Sequence, residues 1–98
     1  MNIQQEKSGS SLTLQLEGRL DTATAPQLEA CLNASLDGVT SLVLDFAFLD
    51  YISSAGLRVL LSAQKRMNGQ GKMVIRNVND VINEVLEMTG FADILTIE

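Results

Sequence analysis

Leu12, Leu14 and Leu16 alternate with Thr13, Gln15 and Glu17, which is the period-two pattern of a half-buried strand. Residues 2–7 read as a shorter strand before it, and Ser8-Gly9-Ser10 as the turn between them, so the chain opens with a β-hairpin. The period then changes. Leu28, Cys31, Leu32 and Leu36 share one face of a helix that starts at Thr24 and stops at Gly38. Thr24 and Gln27 have the spacing of a capping box, and Pro26 is tolerated in the first turn, where its missing N–H removes no helical bond. Residues 41–46, Ser-Leu-Val-Leu-Asp-Phe, form a continuous apolar run that predicts a strand buried on both faces.

A loop over 47–53 is expected to lead into a second helix, about 54–68. Its apolar positions are Leu57, Val59, Leu60, Leu61, Ala63 and Met67, and Lys65 and Arg66 suit the negative end of its dipole. Gly69-Gln70-Gly71 breaks it, and 72–76 reads as another strand. Val78, Val81, Ile82, Val85, Leu86 and Thr89 trace a third helix, with Asn79 as N-cap and Gly90 as stop. Residues 94–97 suit a short edge strand or a closing segment. Cys31, Met67, Met73 and Met88 read as core filler.

Strands that alternate with helices predict an α/β domain with a small, mostly parallel sheet, begun by the hairpin and packed by three or four helices. In such sheets the functional crevice lies beyond the carboxyl ends of the strands. Three loops are expected to meet there: one with Asp21, one running from Asp45 to Ser54, and one with Asn77.

Composition narrows the function. The chain has 98 residues, 46% of them hydrophobic, the size of one small domain with a packed core. The net charge of −5 argues against nucleic acid and against anionic membrane surfaces, which both require clustered cations. With one cysteine and no histidine, Cys/His zinc sites and Ser-His or Cys-His nucleophile pairs are excluded. No apolar run approaches a membrane span, and the opening Met-Asn-Ile-Gln-Gln-Glu-Lys is unlike a signal peptide; a cytoplasmic protein is expected. Asp21, Asp45 and Asp50 are the carboxylates from which a metal site would be built, but no phosphate loop or spaced ligand pattern accompanies them. No cofactor and no enzymatic activity are expected.

The candidate chemistry is the stretch Tyr51-Ile-Ser-Ser-Ala-Gly-Leu-Arg58. A helix N-terminus is electropositive and offers free N–H groups, so a serine there is either a cap or a position that tolerates a phosphate dianion. The residues alone leave both readings open.

Taken in order, the hairpin, Gly-Arg-Leu-Asp21, Ala25-Pro26-x-Leu28, Leu-Val-Leu-Asp45, Tyr51-Ile-Ser-Ser-Ala-Gly-Leu57 and Asn77-Val78 resemble a STAS domain over nearly the whole chain. More narrowly, the pattern is similar to the bacterial anti-sigma factor antagonists of the SpoIIAA and RsbV type. The resemblance implies the STAS fold and a single domain over 1–98. It implies that the unphosphorylated protein binds an anti-sigma factor, which is also a serine kinase, and so releases a sigma factor. Phosphorylation of one serine then separates the two, and a PP2C-type serine phosphatase resets the switch. A monomer is expected.

The family pattern Asp-Ser-Ser/Thr-Gly-Leu, anchored on Gly56-Leu57, puts the acceptor at Ser54 and the acidic position at Ser53. Ala55 replaces the second hydroxyl. Ser53 is therefore the second choice of acceptor. The partner surface implied is Asp21, Ser53, Ser54, Ala55, Gly56, Leu57 and Arg58. Asp21 also suits a turn residue that binds the Thr22–Thr24 backbone, and Asp45 a tie that holds the following loop. The alternative function is a STAS interaction module of another signalling or lipid-transport complex, without sigma-factor control.

Overall fold

A computed structural model describes residues 1–98. The hairpin is β1 (Asn2–Ser8) and β2 (Ser11–Leu20), with Gly9 at φ +59° in a tight turn that opposes Ser8 to Ser11. α1 (Ala25–Ser35), β3 (Ser41–Ile52), α2 (Ser54–Asn68), β4 (Lys72–Arg76) and α3 (Asp80–Met88) follow, and a 3-10 turn (Phe91–Asp93) packs back on α3. The sheet order is β1-β2-β3-β4, antiparallel in the hairpin and parallel thereafter, as the alternation of elements predicts.

The register explains the core. Leu12, Leu42 and Met73 form one row across the parallel strands, and Leu14, Leu44 and Ile75 the next. All six are buried, together with Leu28, Leu32 and Leu36 of α1, Leu57, Leu60 and Met67 of α2, and Ile82 and Leu86 of α3. The intervening rows, Thr13 with Val43 and Gln15 with Asp45, lie on the opposite face and are only half-buried. The expectation of a strand buried on both faces is corrected here. Residues 41–46 are an alternating strand, and Val43 and Asp45 belong to the open side.

β3 also runs six residues further than expected, so most of the anticipated 47–53 loop is strand. Its pairing with β2 continues to Leu20–Ile52 across two register shifts. Asp45 pairs with Gln15 but Phe48 with Glu17, and Leu49 pairs with Gly18 but Tyr51 with Arg19, so β3 carries an extra residue at each place. Such bulges break the period of two, which leaves Leu49 and Ile52 both buried three residues apart. Asp45 Oδ1 accepts the Ala47 N–H at 2.9 Å and the Asn77 Nδ2–H at 2.9 Å, which ties the first bulge to the loop after β4.

Four smaller expectations are also resolved. Thr24 and Gln27 form no capping box; the Thr24 hydroxyl accepts from the Asp21 N–H at 2.9 Å and donates to the Arg19 carbonyl at 2.7 Å, while Gln27 reaches back to the Met1 carbonyl at 3.0 Å. Met88 is 80% exposed rather than core, although Met67 and Met73 are buried. Cys31 is half-buried at the edge of the core. The closing segment adds a single parallel bridge from Ile97 to Ile75, not a full strand.

Candidate functional site

The ends of β2 and β3 are tied together where α2 begins. Leu20 pairs with Ile52, and the Ser53 N–H donates to the Leu20 carbonyl at 2.9 Å. Ser53 is extended (φ −105°, ψ 175°), and its carbonyl accepts the Leu57 N–H at 3.0 Å, so it stands at the N-cap of α2. Its side chain does not cap the helix, however. Ser53 Oγ is buried and has no hydrogen-bond partner. Ser54, the first helical residue, is exposed. The two serines are thus sorted by the fold: one hydroxyl points inward and the other faces solvent at an uncapped, electropositive helix end.

Gly56 explains how closely this helix end is seated. A Cβ at Gly56 would lie 2.6 Å from Leu20 Cγ and 3.0 Å from Ile52 Cγ1, so only glycine lets α2 rest on the ends of β2 and β3. Gly56 and Leu57 are both buried. Of the expected partner surface, these two residues position the site from beneath and present no side chain to a partner in this conformation. Ala55 is half-buried and Arg58 exposed. Arg58 forms no ion pair, and it lies one turn beyond Ser54 on the same helix face. Ala55, Arg58 and Val59 line a shallow groove with Thr22, Ala25, Pro26 and Glu29, which brings the start of α1 beside the start of α2.

Asp21 shapes that neighbouring loop. Its Oδ1 accepts the N–H groups of Ala23 at 3.0 Å and Thr24 at 3.1 Å, and the Ala25 N–H donates to its carbonyl at 2.8 Å. The turn role expected for Asp21 is therefore present. Its carboxyl is held below the usual carboxylate range, chiefly by the Thr24 N–H, with the Ala23 N–H, the Thr24 hydroxyl and Arg19 adding in the same direction against partial desolvation. Arg19 is 3.6 Å from Asp21 Oδ2 and also lies over the Tyr51 ring, 4.1 Å from its centroid. This Asp21–Arg19–Tyr51 chain was not legible in the sequence, because Tyr51 comes opposite Arg19 only through the second bulge.

Asp21, Asp45 and Asp50 do not gather into a metal-sized cluster, and no other group of acidic or cysteine side chains does. Asp45 is half-buried on the open face of the sheet, where it lines a polar groove with Gln4, Glu6, Thr13 and Gln15. It is therefore set apart from the groove beside Ser54. No helix is long and apolar enough to cross a membrane.

Residues 2–98 of this chain match the STAS domain family. The chain belongs to that family. It is 40% identical over 99 residues to the putative anti-sigma factor antagonist BtrV of Bordetella bronchiseptica, covering 99% of this chain and 85% of that protein. Among solved structures, an anti-sigma factor antagonist from Mycobacterium paratuberculosis superposes with a TM-score of 0.88 at 20% identity, over 98% of this chain and 83% of that one. The Bacillus cell fate determinant SpoIIAA in its phosphorylated form superposes with a TM-score of 0.77 at 19% identity, over 99% and 91% of the two chains. At these identities the superpositions show the STAS fold alone.

Proposed function

We propose that this STAS protein is a cytoplasmic anti-sigma factor antagonist, switched by phosphorylation of Ser54. In the unphosphorylated form the start of α2 and the adjoining Asp21 loop bind an anti-sigma factor that is also a serine kinase, and a sigma factor is released. The observation that carries the reading is the sorting of the two hydroxyls. Ser54 is exposed on the first turn of α2, whereas Ser53 Oγ is buried without a partner. A kinase can reach the first and not the second, which ranks Ser54 over Ser53. The name given to the relative at 40% identity supports the same class of function.

The physics of the switch follows from the site. A phosphoserine brings a charge of about −1.5 to −2. On the free protein it sits at an uncapped helix N-terminus worth ~0.3–1 kcal/mol, with Arg58 in reach one turn along. In a complex the dianion must be desolvated against the partner, and an uncompensated buried charge costs several kcal/mol. Each ~1.4 kcal/mol is tenfold in affinity. Phosphate at the centre of this interface therefore weakens binding by about a hundredfold or more with no change of fold. A PP2C-type serine phosphatase restores the binding form.

The test is incubation with the cognate anti-sigma kinase and ATP, followed by fragment mass analysis. Phosphate on Ser54 is expected, together with loss of the complex. Labelling only at other residues, or none, would refute the switch.

A further inference from the structure

The charge of this protein is segregated along the chain. Of its 12 acidic residues, Asp80, Glu84, Glu87, Asp93 and Glu98 fall after Arg76, and no Lys or Arg does; the first 76 residues balance to neutrality, so the last 22 carry the whole net charge of −5. All five carboxylates are exposed, and only Glu98 has a cationic partner, Arg76 at 3.0 Å.

Within this acidic segment α3 exposes apolar side chains. Val81 is 64% exposed and Met88 80%, and the half-buried Val85 lies between them. The spacing i, i+4, i+7 aligns the three on one flank of the helix, beside the buried flank of Ile82 and Leu86. Glu84 lies next to the stripe, with Asp80 and Glu87 beyond it on the solvent side. An apolar stripe bordered by unpaired charges of a single sign is the complement of an amphipathic segment of the opposite sign. Methionine suits such a contact because its flexible thioether adapts to the partner's shape.

We propose that this flank of α3 is a docking surface for a basic amphipathic polypeptide helix, whose apolar residues cover Val81, Val85 and Met88 and whose Lys or Arg side chains meet Asp80, Glu84 and Glu87. The surface lies outside the Ser54 groove and does not depend on the phosphorylation switch. Anionic lipid and nucleic acid are disfavoured by the same carboxylates. A second copy of the chain is disfavoured because it brings another acidic segment and another net charge of −5.

The probe is a synthetic Lys/Leu amphipathic helical peptide, titrated into the isotope-labelled full chain and followed by amide chemical shifts. Saturable shifts centred on Val81, Glu84, Val85 and Met88 are expected. Met88→Glu should weaken binding at least tenfold and Glu84→Lys at least threefold, and affinity should fall with added salt. Both substituted positions are exposed, so the variants keep the fold, which the unperturbed remainder of the spectrum verifies. Four results would overturn the proposal: equal binding by a scrambled peptide of the same composition, shifts centred on α2 or the open sheet face, Met88-dependent binding to phosphatidylglycerol vesicles, or a concentration-dependent dimer that Met88→Glu abolishes.

Discussion

α2 and α3 occupy equivalent places, each starting where a parallel strand ends, yet their N-termini are finished in opposite ways. At α3 the Asn79 side chain accepts the Ile82 N–H at 2.8 Å and donates to the Leu49 carbonyl at 2.9 Å, so one residue both caps the helix and ties it to β3. At α2 the N-cap residue Ser53 turns its hydroxyl inward and bonds nothing, which leaves the first-turn N–H groups to solvent. The charges differ as well. α2 carries Arg58, Lys65 and Arg66 and no acid, whereas α3 carries Asp80, Glu84 and Glu87 and no base. A helix end closed by its own side chain is a structural joint, while one left open beside an exposed serine and a free arginine can accept an anion added later.

That contrast can be broken most severely at Ser54. Ser54→Glu places a permanent charge at the open helix end. It is expected to weaken anti-sigma factor binding at least a hundredfold, about 2.7 kcal/mol, while thermal stability stays close to wild type. Calorimetric titration that showed less than a threefold change would remove α2 from the interface.

The seat of α2 is tested by Gly56→Ala. Its Cβ would meet Leu20 and Ile52, so urea unfolding should show a loss of about 1–3 kcal/mol by overpacking. A neutral result would mean that the helix start floats on the sheet rather than being pressed against it.

The two N-cap residues give the sharpest pairing. Asn79→Ala removes both the cap and the tie to Leu49, and about 1–2 kcal/mol of stability should go with it. Ser53→Ala deletes a buried hydroxyl that has no partner and is expected to be neutral or slightly stabilising, within about 0.5 kcal/mol. Equal losses in the two variants would show that Ser53 caps α2 in solution.

The smallest effect concerns Asp21. Its folded carboxyl titrates below the usual value of 3.8, so its contribution is complete above that value and disappears as pH falls through the lowered one. Asp21→Asn should flatten the fall in melting temperature below about pH 4 and leave the neutral range little changed. An unchanged acid limb would detach Asp21 from the turn that borders the groove.

Much of this molecule was legible in its residues, and the failures have identifiable causes. The hairpin, the three helices and the parallel order follow from local periods and caps, and Asn79 was found because a cap depends on residues three apart. Thr24–Gln27 matched the capping-box pattern too, but the Thr24 N–H donates to Asp21 Oδ1, the Gln27 N–H to the Thr24 carbonyl, and the Thr24 hydroxyl to the Arg19 carbonyl. Gly56 and Leu57 fell within the motif and turned out to support it from below, because sequence spacing does not separate the residues that hold a site from those that present it. Met88 reads as core by residue type alone, but on α3 it falls on the exposed flank with Val81, away from the buried Ile82 and Leu86.

The sequence by itself determined the element order, the apolar core, the cationic α2 and the acidic final segment, since each depends on residue type and on spacing within a single element. Only the tertiary structure decided that β3 runs on to Ile52, that Arg19 stacks on Tyr51, and that Ser53 is turned inward while Ser54 faces solvent. Those outcomes depend on how β3 bulges against β2 and how closely α2 presses on Leu20. They are properties of pairs of elements, and no single stretch of sequence contains them.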